Sequence, residues 1–178
     1  MGHKYSREQF LDAALEAAIE DGLSRLTFGR LAKRLGVNDR TIVYYFPTKD
    51  DLIVGVLTMM GLRVQETLAA AFDSTATDHI DLLNRAWPIL AKPAVDPMFG
   101  LFFEASGLAT AGREPYKTLG RQLVQGWVAW LSGFFEGSAD QRRVESETAV
   151  AMLDGLLLLR QLAGPAAANR AATRLGIR

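Results

Sequence analysis

The chain has 178 residues, of which 49% are hydrophobic and 22% are charged, and its 20 basic and 20 acidic residues give a formal net charge of zero. This is enough apolar material for one large packed domain or two small ones. Because the sequence contains no cysteine, disulfides, cysteine metal ligands and thiol nucleophiles are excluded. No basic segment followed by an apolar run opens the chain, and the longest apolar stretch, Ala149 to Ala163, is interrupted by Asp154, Arg160 and Gln161. We therefore expect a cytoplasmic protein without a signal peptide and without a membrane partner.

The first predicted helix begins at a capping box. Ser6 is followed three residues later by Gln9, the pattern in which each side chain caps the other's backbone amide. The apolar residues that follow recur with a period near 3.6 and stop at Gly22; they are Phe10, Leu11, Ala14, Leu15, Ala18 and Ile19. We expect this stripe to pack against the next two helices.

Two short helices joined by a glycine-containing turn follow. Thr27 is a good N-cap for a helix that Gly36 ends, and Asn38 caps a second helix that Pro47 stops. A third helix start follows at once, since Thr48 and Asp51 form an acidic variant of the capping box. Two short helices with this punctuation indicate a helix-turn-helix, which places its second helix in the DNA major groove.

Positive charge is concentrated in the same segment. Between positions 25 and 49 the sequence has six basic residues and one acid, Asp39. The basic residues are Arg25, Arg30, Lys33, Arg34, Arg40 and Lys49. Cations that face DNA phosphates gain free energy by releasing condensed counterions. The alternative is a solvated charged face on two short helices.

Residues 6 to 53 resemble the tetracycline-repressor-like (TetR) transcriptional regulators. The resemblance rests on Leu-Thr-Phe at the start of helix two, on Leu-Gly-Val at the turn, and on Tyr-Tyr-Phe-Pro-Thr-Lys-Asp-Asp-Leu after it. It implies a homodimeric, ligand-responsive DNA-binding protein, usually a repressor. One departure is Val43, which stands where the family most often has a tyrosine that contacts phosphate, so that contact is not assigned.

The predicted complex is a dimer that places helix three of each subunit in successive major grooves of a near-palindromic operator. The centres of the two helices should lie about 34 to 36 Å apart. The residues predicted for the DNA-facing side of helix three are Asn38, Arg40, Thr41 and Tyr44. The residues predicted to position the DNA backbone are Thr27, Arg30, Tyr45 and Lys49.

Beyond the motif the sequence remains helical, so the predicted fold is all-α with about nine helices. The predicted domains are residues 1–47 for DNA binding and residues 48–178 for ligand binding and dimerisation. Helix four, about Thr48 to Phe72, is identified through the resemblance as the lever between them. A Trp87-Pro88 step should end or kink helix five, and residues 92–97 form a loop. Helix six is predicted over about 98–109 and helix seven over about 116–135.

Large apolar side chains crowd helices four to seven. The resemblance implies an effector site there for a small apolar or aromatic molecule, and its predicted lining is Met60, Trp87, Phe99, Phe102, Phe103, Trp127, Trp130 and Phe134. The alternative is that these rings pack against one another as core.

Helix eight starts at Ser138, with Gln141 as its capping partner, and its second half is apolar nearly all round. One face cannot account for this, so we expect a second subunit to cover the rest around a two-fold axis. The predicted dimer residues are Met152, Gly155, Leu156 and Leu159. Asp154 and Arg160 are expected to pair within or between subunits, and the alternative is a central helix surrounded by its own chain.

Catalysis and cofactor binding have little support. The histidines, His3 and His79, form no cluster, and there is no phosphate-binding glycine loop or metal-ligand spacing. Glu104 and Asp154 are expected to act as caps, ion pairs or ligand contacts. The competing function is an apolar-ligand carrier or interaction protein of the same fold that lacks specific DNA binding.

Overall fold

The structure, a computed structural model, describes residues 5–178, and nine α-helices lie within that range. They are α1 (Arg7–Asp21), α2 (Phe28–Leu35), α3 (Asp39–Tyr45), α4 (Lys49–Ala69), α5 (His79–Leu90), α6 (Asp96–Thr110), α7 (Tyr116–Ser132), α8 (Ala139–Ala163) and α9 (Pro165–Arg174), with 3-10 turns at Leu23–Arg25 and Pro93–Val95. Over the same residues, β pairing is limited to one isolated bridge between Ala76 and Phe135. The prediction of an all-α fold is confirmed.

The predicted helix caps are present. The Ser6 and Ser138 side chains each form a complete capping box with the glutamine three residues on. Asp51 N donates to Thr48 Oγ1 at 3.1 Å, and Thr48 N donates to the Asp51 carboxylate at 2.9 Å, so α4 begins with the acidic variant of the same device. Each cap satisfies helix amides that have no partner inside the helix.

The region around α5 and α6 differs from its prediction. Pro88 lies inside the last turn of α5, which continues to Leu90 rather than stopping before the proline. The predicted loop at residues 92–97 holds a 3-10 turn and the start of α6, which begins at Asp96 instead of residue 98. Pro97 is accommodated because the first turn of a helix has no internal acceptor for its amide. At the other end of the region, α7 ends at Ser132, three residues before the predicted end.

The chain divides into two compact units, and the predicted domain boundary at residue 47 stays a prediction. The first unit extends to Leu62 and also contains Gly100–Gly120, while the second contains Arg63–Phe99 and Arg121–Arg178. Helices α4, α6 and α7 therefore each contribute residues to both units.

In the first unit the predicted stripe of α1 is buried under α2, α3 and α4. Phe10 and Ala14 are fully inaccessible, as are Ile42 of α3, Phe46 and Leu52. Burial of each such side chain contributes about 1.5 to 3 kcal/mol. The approach of α4 to α1 depends on Gly55, because a Cβ added there would lie 2.8 Å from Leu11 Cδ2.

In the second unit α8 packs against α5 and α9. Its core contains Leu82 and Leu83 of α5, Ala149 and Leu157 of α8, and Ala168 of α9, all buried. The small residues on α8 and α9 allow the two helices to lie close together.

Among the described helices, α4 is long and apolar enough to cross a membrane by length and composition alone. Its apolar residues nevertheless form part of the protein interior, since Val56, Met60, Val64 and Leu68 are all buried. The same pattern is expected of a core helix.

Candidate DNA-binding surface and effector-binding region

Helices α2 and α3 form the predicted helix-turn-helix. Thr27 Oγ1 accepts from Arg30 N at 3.3 Å and starts α2, while Asn38 Oδ1 accepts from Arg40 N at 2.9 Å and starts α3. Between them Gly36 adopts the left-handed conformation, with φ 64° and ψ 38°, which a residue with a side chain adopts only at a cost. The oxygens of Thr27 and Asn38, two residues predicted to contact DNA, are therefore occupied as helix caps.

One side of α3 is buried and the other is open to solvent. Ile42 anchors the inner side, while Arg40, Val43 and Tyr44 are exposed, Val43 by 41% and Tyr44 by 70%. Thr41 is half-buried at the edge of this face. The outward face thus contains predicted residues and also Val43, to which the sequence analysis assigned no contact, although its i+3 spacing from Arg40 places it near that side chain.

Tyr45 contacts the interior of the first unit instead of the outward face. Its hydroxyl donates to the Tyr5 carbonyl at 3.3 Å, and its ring centroid lies 5.3 Å from that of Phe10. This side chain holds α3 against α1. Its predicted contact with the DNA backbone stays a prediction, and the half-buried ring also lies 5.2 Å from that of the exposed Tyr44.

The positive charge of the helix-turn-helix is partly neutralised by α1. Arg34 donates to Glu20 at 2.6 Å and 3.0 Å and to Glu16 at 3.3 Å, and the Arg34 guanidinium lowers the pKa of Glu20. Arg30, predicted to contact the DNA backbone, lies 3.7 Å from Asp21. The acids on α1 were not counted in the predicted charge excess, because they lie outside the segment from 25 to 49.

Four other cations of the motif are exposed and have no ion-pair partner among the described residues: Arg25, Lys33, Arg40 and Lys49. Charge at these positions is available to phosphates without breaking an internal pair.

The turn that precedes α2 is held from two sides. The Glu104 carboxylate of α6 accepts from Leu23 N at 3.0 Å and from Ser24 N at 3.4 Å, and Lys49 Nζ lies 3.5 Å from the Ser24 carbonyl oxygen. The expectation that Glu104 acts as a cap is confirmed. Burial is the largest cause that raises the pKa of Tyr116, and the nearby negative charges of Glu104 and Asp50 raise it further.

The predicted effector residues are divided between the two units. Met60, Phe102 and Phe103 belong to the first; Trp87, Phe99, Trp127, Trp130 and Phe134 belong to the second. Met60 and Trp87 are buried, while the remaining six are half-buried.

Within the second unit four aromatic side chains form a cluster. The Trp130 centroid lies 5.3 Å from Trp127, 5.0 Å from Phe134 and 5.7 Å from Phe72, and most of these pairs are edge-to-face. Such pairs stabilise a fold by about 0.5 to 1.5 kcal/mol beyond area burial. Ring packing therefore accounts for part of the predicted ligand set, as the alternative interpretation held.

A cleft of about 310 Å³ also lies in the second unit. Its lining comprises Ala129, Ser132, Gly133, Phe135 and Arg142. These residues are outside the predicted ligand set.

Arg160 is buried, and its partner is not the one predicted. Its Nη2 donates to Asp96 Oδ2 at 2.9 Å, its Nε also donates to Asp96, and Gln161 Nε2 donates to the Asp96 carbonyl at 2.7 Å. Asp154, the expected partner, is largely buried, and this burial raises its pKa to about 6. The expectation that Asp154 pairs with Arg160 within the chain is therefore wrong, because the donors of Arg160 bind Asp96 at the start of α6.

A stripe of apolar and small residues on α8 faces solvent. Val144, Ala151, Gly155, Leu158 and Leu162 are exposed, Leu158 by 39% and Leu162 by 79%. Their spacing alternates between three and four residues once Thr148 is included, which is the spacing of a helix-packing seam.

The predicted dimer residues fall on both sides of α8. Gly155 belongs to the exposed stripe, and a Cβ added there would meet open space. Leu156 is buried by its own chain, while Met152 and Leu159 are half-buried.

The described histidine lies against a carboxylate. His79 Nδ1 lies 2.7 Å from the Glu145 carboxylate, which also accepts from the His79 amide at 2.8 Å. Within residues 5–178 no group of three or more His, Cys, Asp or Glu side chains is arranged to hold a metal ion. His3, the other histidine considered, lies outside the described residues.

Known proteins show similarity at two levels. Residues 10–56 match the family model of bacterial regulatory proteins, tetR family. Over 48 residues the chain is 38% identical to the fatty acid metabolism regulator protein of Bacillus subtilis (strain 168), covering 27% of this chain and 25% of that relative. The chain thus matches about a quarter of the length of that curated relative.

The likeness in fold extends over almost the whole chain. A TetR-family transcriptional regulator from Rhodococcus sp. superposes with a TM-score of 0.74 at 19% identity, covering 93% of each chain. The multidrug binding protein EbrR, solved in complex with imidazole, superposes with a TM-score of 0.68 at 23% identity, covering 97% of this chain and 96% of that one. The helix-turn-helix geometry and the matched residues agree on one segment: residues 10–56 are similar to the tetR family of bacterial regulatory proteins, and the whole chain shares the fold of the solved regulators.

Proposed function

We propose that the protein is a DNA-binding transcriptional regulator, a homodimeric repressor that binds a near-palindromic operator through α3 and is released by a small apolar or aromatic effector. The observation that carries this proposal is the outward face of α3, where Arg40, Val43 and Tyr44 are exposed while the buried Ile42 anchors the helix. A helix displayed in this way can enter a major groove of about 12 Å width.

Among the predicted residues, Arg40, Thr41 and Tyr44 remain candidates for base contact. Arg40 has no ion-pair partner among the described residues, so its guanidinium is available to a guanine edge. Asn38 and Thr27 retain a donor each for phosphate, because their capping bonds use their oxygens. Lys49 and Arg30 are assigned to phosphate contact, Arg30 with the weaker role because Asp21 competes for it.

The dimer is assigned to the exposed stripe of α8. Its seam spacing allows the same stripe of a second copy to pack against it about a two-fold axis, with Gly155 at the point of closest approach. Complete burial of a leucine contributes about 1.5 to 3 kcal/mol, so the exposed 39% of Leu158 and 79% of Leu162 leave about 0.6 to 1.2 and about 1.2 to 2.4 kcal/mol to be gained in an interface. In this assignment the exposed Leu158 and Leu162 take the place of the predicted Leu156, which is buried by its own chain.

Effector release is supported by the hydrogen bonds around Ser24. Glu104 of α6 and Lys49 at the start of α4 both hold the turn that precedes α2. A shift of either helix on effector binding would displace α2 and α3, and a coupling of about 1 to 3 kcal/mol suffices for regulation. The half-buried Trp127, Trp130 and Phe134 of the second unit are the side chains assigned to an apolar or aromatic effector, and EbrR, similar in fold, was solved with imidazole.

DNA binding is tested by selecting duplexes from a random pool with the purified protein at near-physiological salt. We expect enrichment of an inverted repeat whose half-sites are about one helical turn apart. On that sequence Arg40→Ala should weaken binding about 5- to 150-fold and relax one base preference, while Lys49→Ala should weaken binding on all sequences alike and flatten the salt dependence.

The matched control is Arg121→Ala, which removes an exposed cation from the second unit and should change neither property. Absence of any enriched sequence, with only salt-sensitive background binding, would contradict the proposal and favour an apolar-ligand carrier of the same fold.

The dimer is tested by sedimentation of Leu158→Glu and Leu162→Glu, each of which places a charge in the proposed seam. We expect both variants to sediment as single chains. Val124→Glu is the control, because Val124 is 48% exposed but lies on α7. A wild-type single chain, or equal effects of all three substitutions, would show that the stripe is not the interface.

Effector binding is tested by tryptophan fluorescence with a panel of apolar and aromatic compounds. Trp87, Trp127 and Trp130 are the three tryptophans of the chain, and all belong to the predicted site. A true effector should change the fluorescence and release the selected DNA over the same concentration range. Compounds that quench without releasing DNA would leave effector control unsupported.

A further inference from the structure

We propose that Val43 determines operator specificity by contacting the C5-methyl group of a thymine in each half-site. This inference rests on the proposed function and names the chemistry by which the outward face of α3 selects its sequence.

The position of Val43 is the first step. It lies three residues after Arg40, so both side chains lie on the same side of a helix with 3.6 residues per turn. Ile42 is buried, and around the helix Arg40 lies about 160° from it and Val43 about 100°, which leaves Val43 41% exposed. Any DNA approached by Arg40 is therefore also approached by Val43.

The chemistry of the side chain is the second step. Valine neither donates nor accepts a hydrogen bond, so it gains nothing from a phosphate or from a polar base edge. In the major groove the apolar feature of the base edges is the thymine methyl group. Because a β-branched side chain on a helix has one strongly preferred rotamer, Val43 presents its methyl groups in a fixed direction.

The spacing along the DNA is the third step. Residues three apart on a helix are separated by about 4.5 Å along its axis, and successive base pairs are about 3.4 Å apart. The thymine that Val43 contacts should therefore lie one or two base pairs from the guanine that Arg40 contacts. The selected half-site should show this pair of preferences together.

The test removes only the methyl group. In the selected operator each thymine is replaced in turn by deoxyuridine, at the same position in both half-sites, and the affinities of wild type and Val43→Ala are measured. We expect one position at which the replacement weakens wild-type binding about fourfold per half-site, or about 15-fold for the pair, as one buried methyl implies. Val43→Ala should bind the two DNAs equally.

Two controls accompany this comparison. Arg40→Ala should keep the sensitivity to deoxyuridine at that position, because it leaves Val43 in place. Circular dichroism should show that Val43→Ala folds as wild type does, since an exposed position on α3 is changed.

Each outcome has a distinct meaning. If wild type selects an operator, and deoxyuridine weakens the binding of wild type and of Val43→Ala equally, the role of Val43 is overturned while the proposed regulatory function stands. If wild type selects no operator, the proposed function fails and the inference fails with it. A thymine that wild type discriminates and Val43→Ala does not supports both.

Discussion

A substitution that breaks the pair formed by Arg160 and Asp96 should strongly destabilise the second unit. The Arg160 side chain is only 3% exposed and makes two hydrogen bonds to a carboxylate that is 33% exposed. Removing one partner of a buried pair costs about 3 to 5 kcal/mol, because the other charge remains buried and unpaired. Since Asp96 is partly solvated, we expect Asp96→Asn to lower the free energy of unfolding by about 2 to 4 kcal/mol.

A double-mutant cycle separates this effect from simple loss of packing. Arg160→Met removes the charge while keeping an apolar stem of similar length, and in that background Asp96→Asn should cost less than about 1 kcal/mol. Unfolding is followed by circular dichroism in urea at one fixed protein concentration, because dimer dissociation would otherwise alter the apparent stability.

The surface pair on the same helix provides the control for the cycle. Arg143 and Asp140 lie 3.5 Å apart with side chains 61% and 91% exposed, so Asp140→Asn should change the stability by less than about 0.5 kcal/mol. Equal costs of Asp96→Asn with and without Arg160 would refute the argument that the pair, and not the local packing, is responsible.

The remaining predictions concern single positions. The folded-state pKa of Asp154 is raised to about 6 from 3.8. The wild type should therefore lose stability relative to Asp154→Asn as pH rises from about 4 to about 7, by at most about 3 kcal/mol. Urea unfolding of both proteins at several pH values measures this difference in the free energy of unfolding, and a difference that does not change with pH would contradict the prediction. Gly55→Ala should destabilise the protein by about 1 to 3 kcal/mol, because the added Cβ would meet Leu11. Gly126→Ala, where the added Cβ would meet open space, should stabilise the protein by up to about 1 kcal/mol. Thermal unfolding distinguishes the two variants, and a stabilised Gly55→Ala would show that α1 and α4 are free to separate. Glu104→Ala should speed hydrogen exchange at the two amides that this carboxylate holds, and unchanged exchange would show that the contact is unimportant in solution.

The features that sequence alone predicted well are those set by near neighbours. The caps at Ser6, Thr27, Asn38 and Ser138 involve residues two or three positions apart, and the left-handed Gly36 follows from the same local logic. Their chemistry is complete within one turn of helix. No knowledge of the tertiary arrangement is needed to recognise them.

Contacts between distant segments were not predictable in the same way. Glu104 caps an amide 81 residues away, and Arg160 pairs with a residue 64 positions earlier instead of with Asp154. Arg34 contributes to the predicted positive charge, but acids on another helix neutralise it. Composition shows that such charges need partners, whereas only the packing of the helices determines which partners they meet.

The apolar second half of α8 illustrates the limit most clearly. The sequence showed that more than one face needed cover, but it did not show which face the rest of the chain supplies. In the structure Leu156 is covered by its own chain while Leu158 and Leu162 are not. Positions two residues apart on a helix point in different directions, so the sequence alone does not determine which of these leucines are available to a second subunit.

Helix α6 makes a long-range contact in each of the two units. Its first residue, Asp96, is hydrogen-bonded to Arg160 of α8 in the second unit, and Glu104, two turns later, caps the turn that leads into α2 in the first. Each carboxylate therefore holds a partner that is distant in the sequence, and neither partner follows from the spacing of residues along α6.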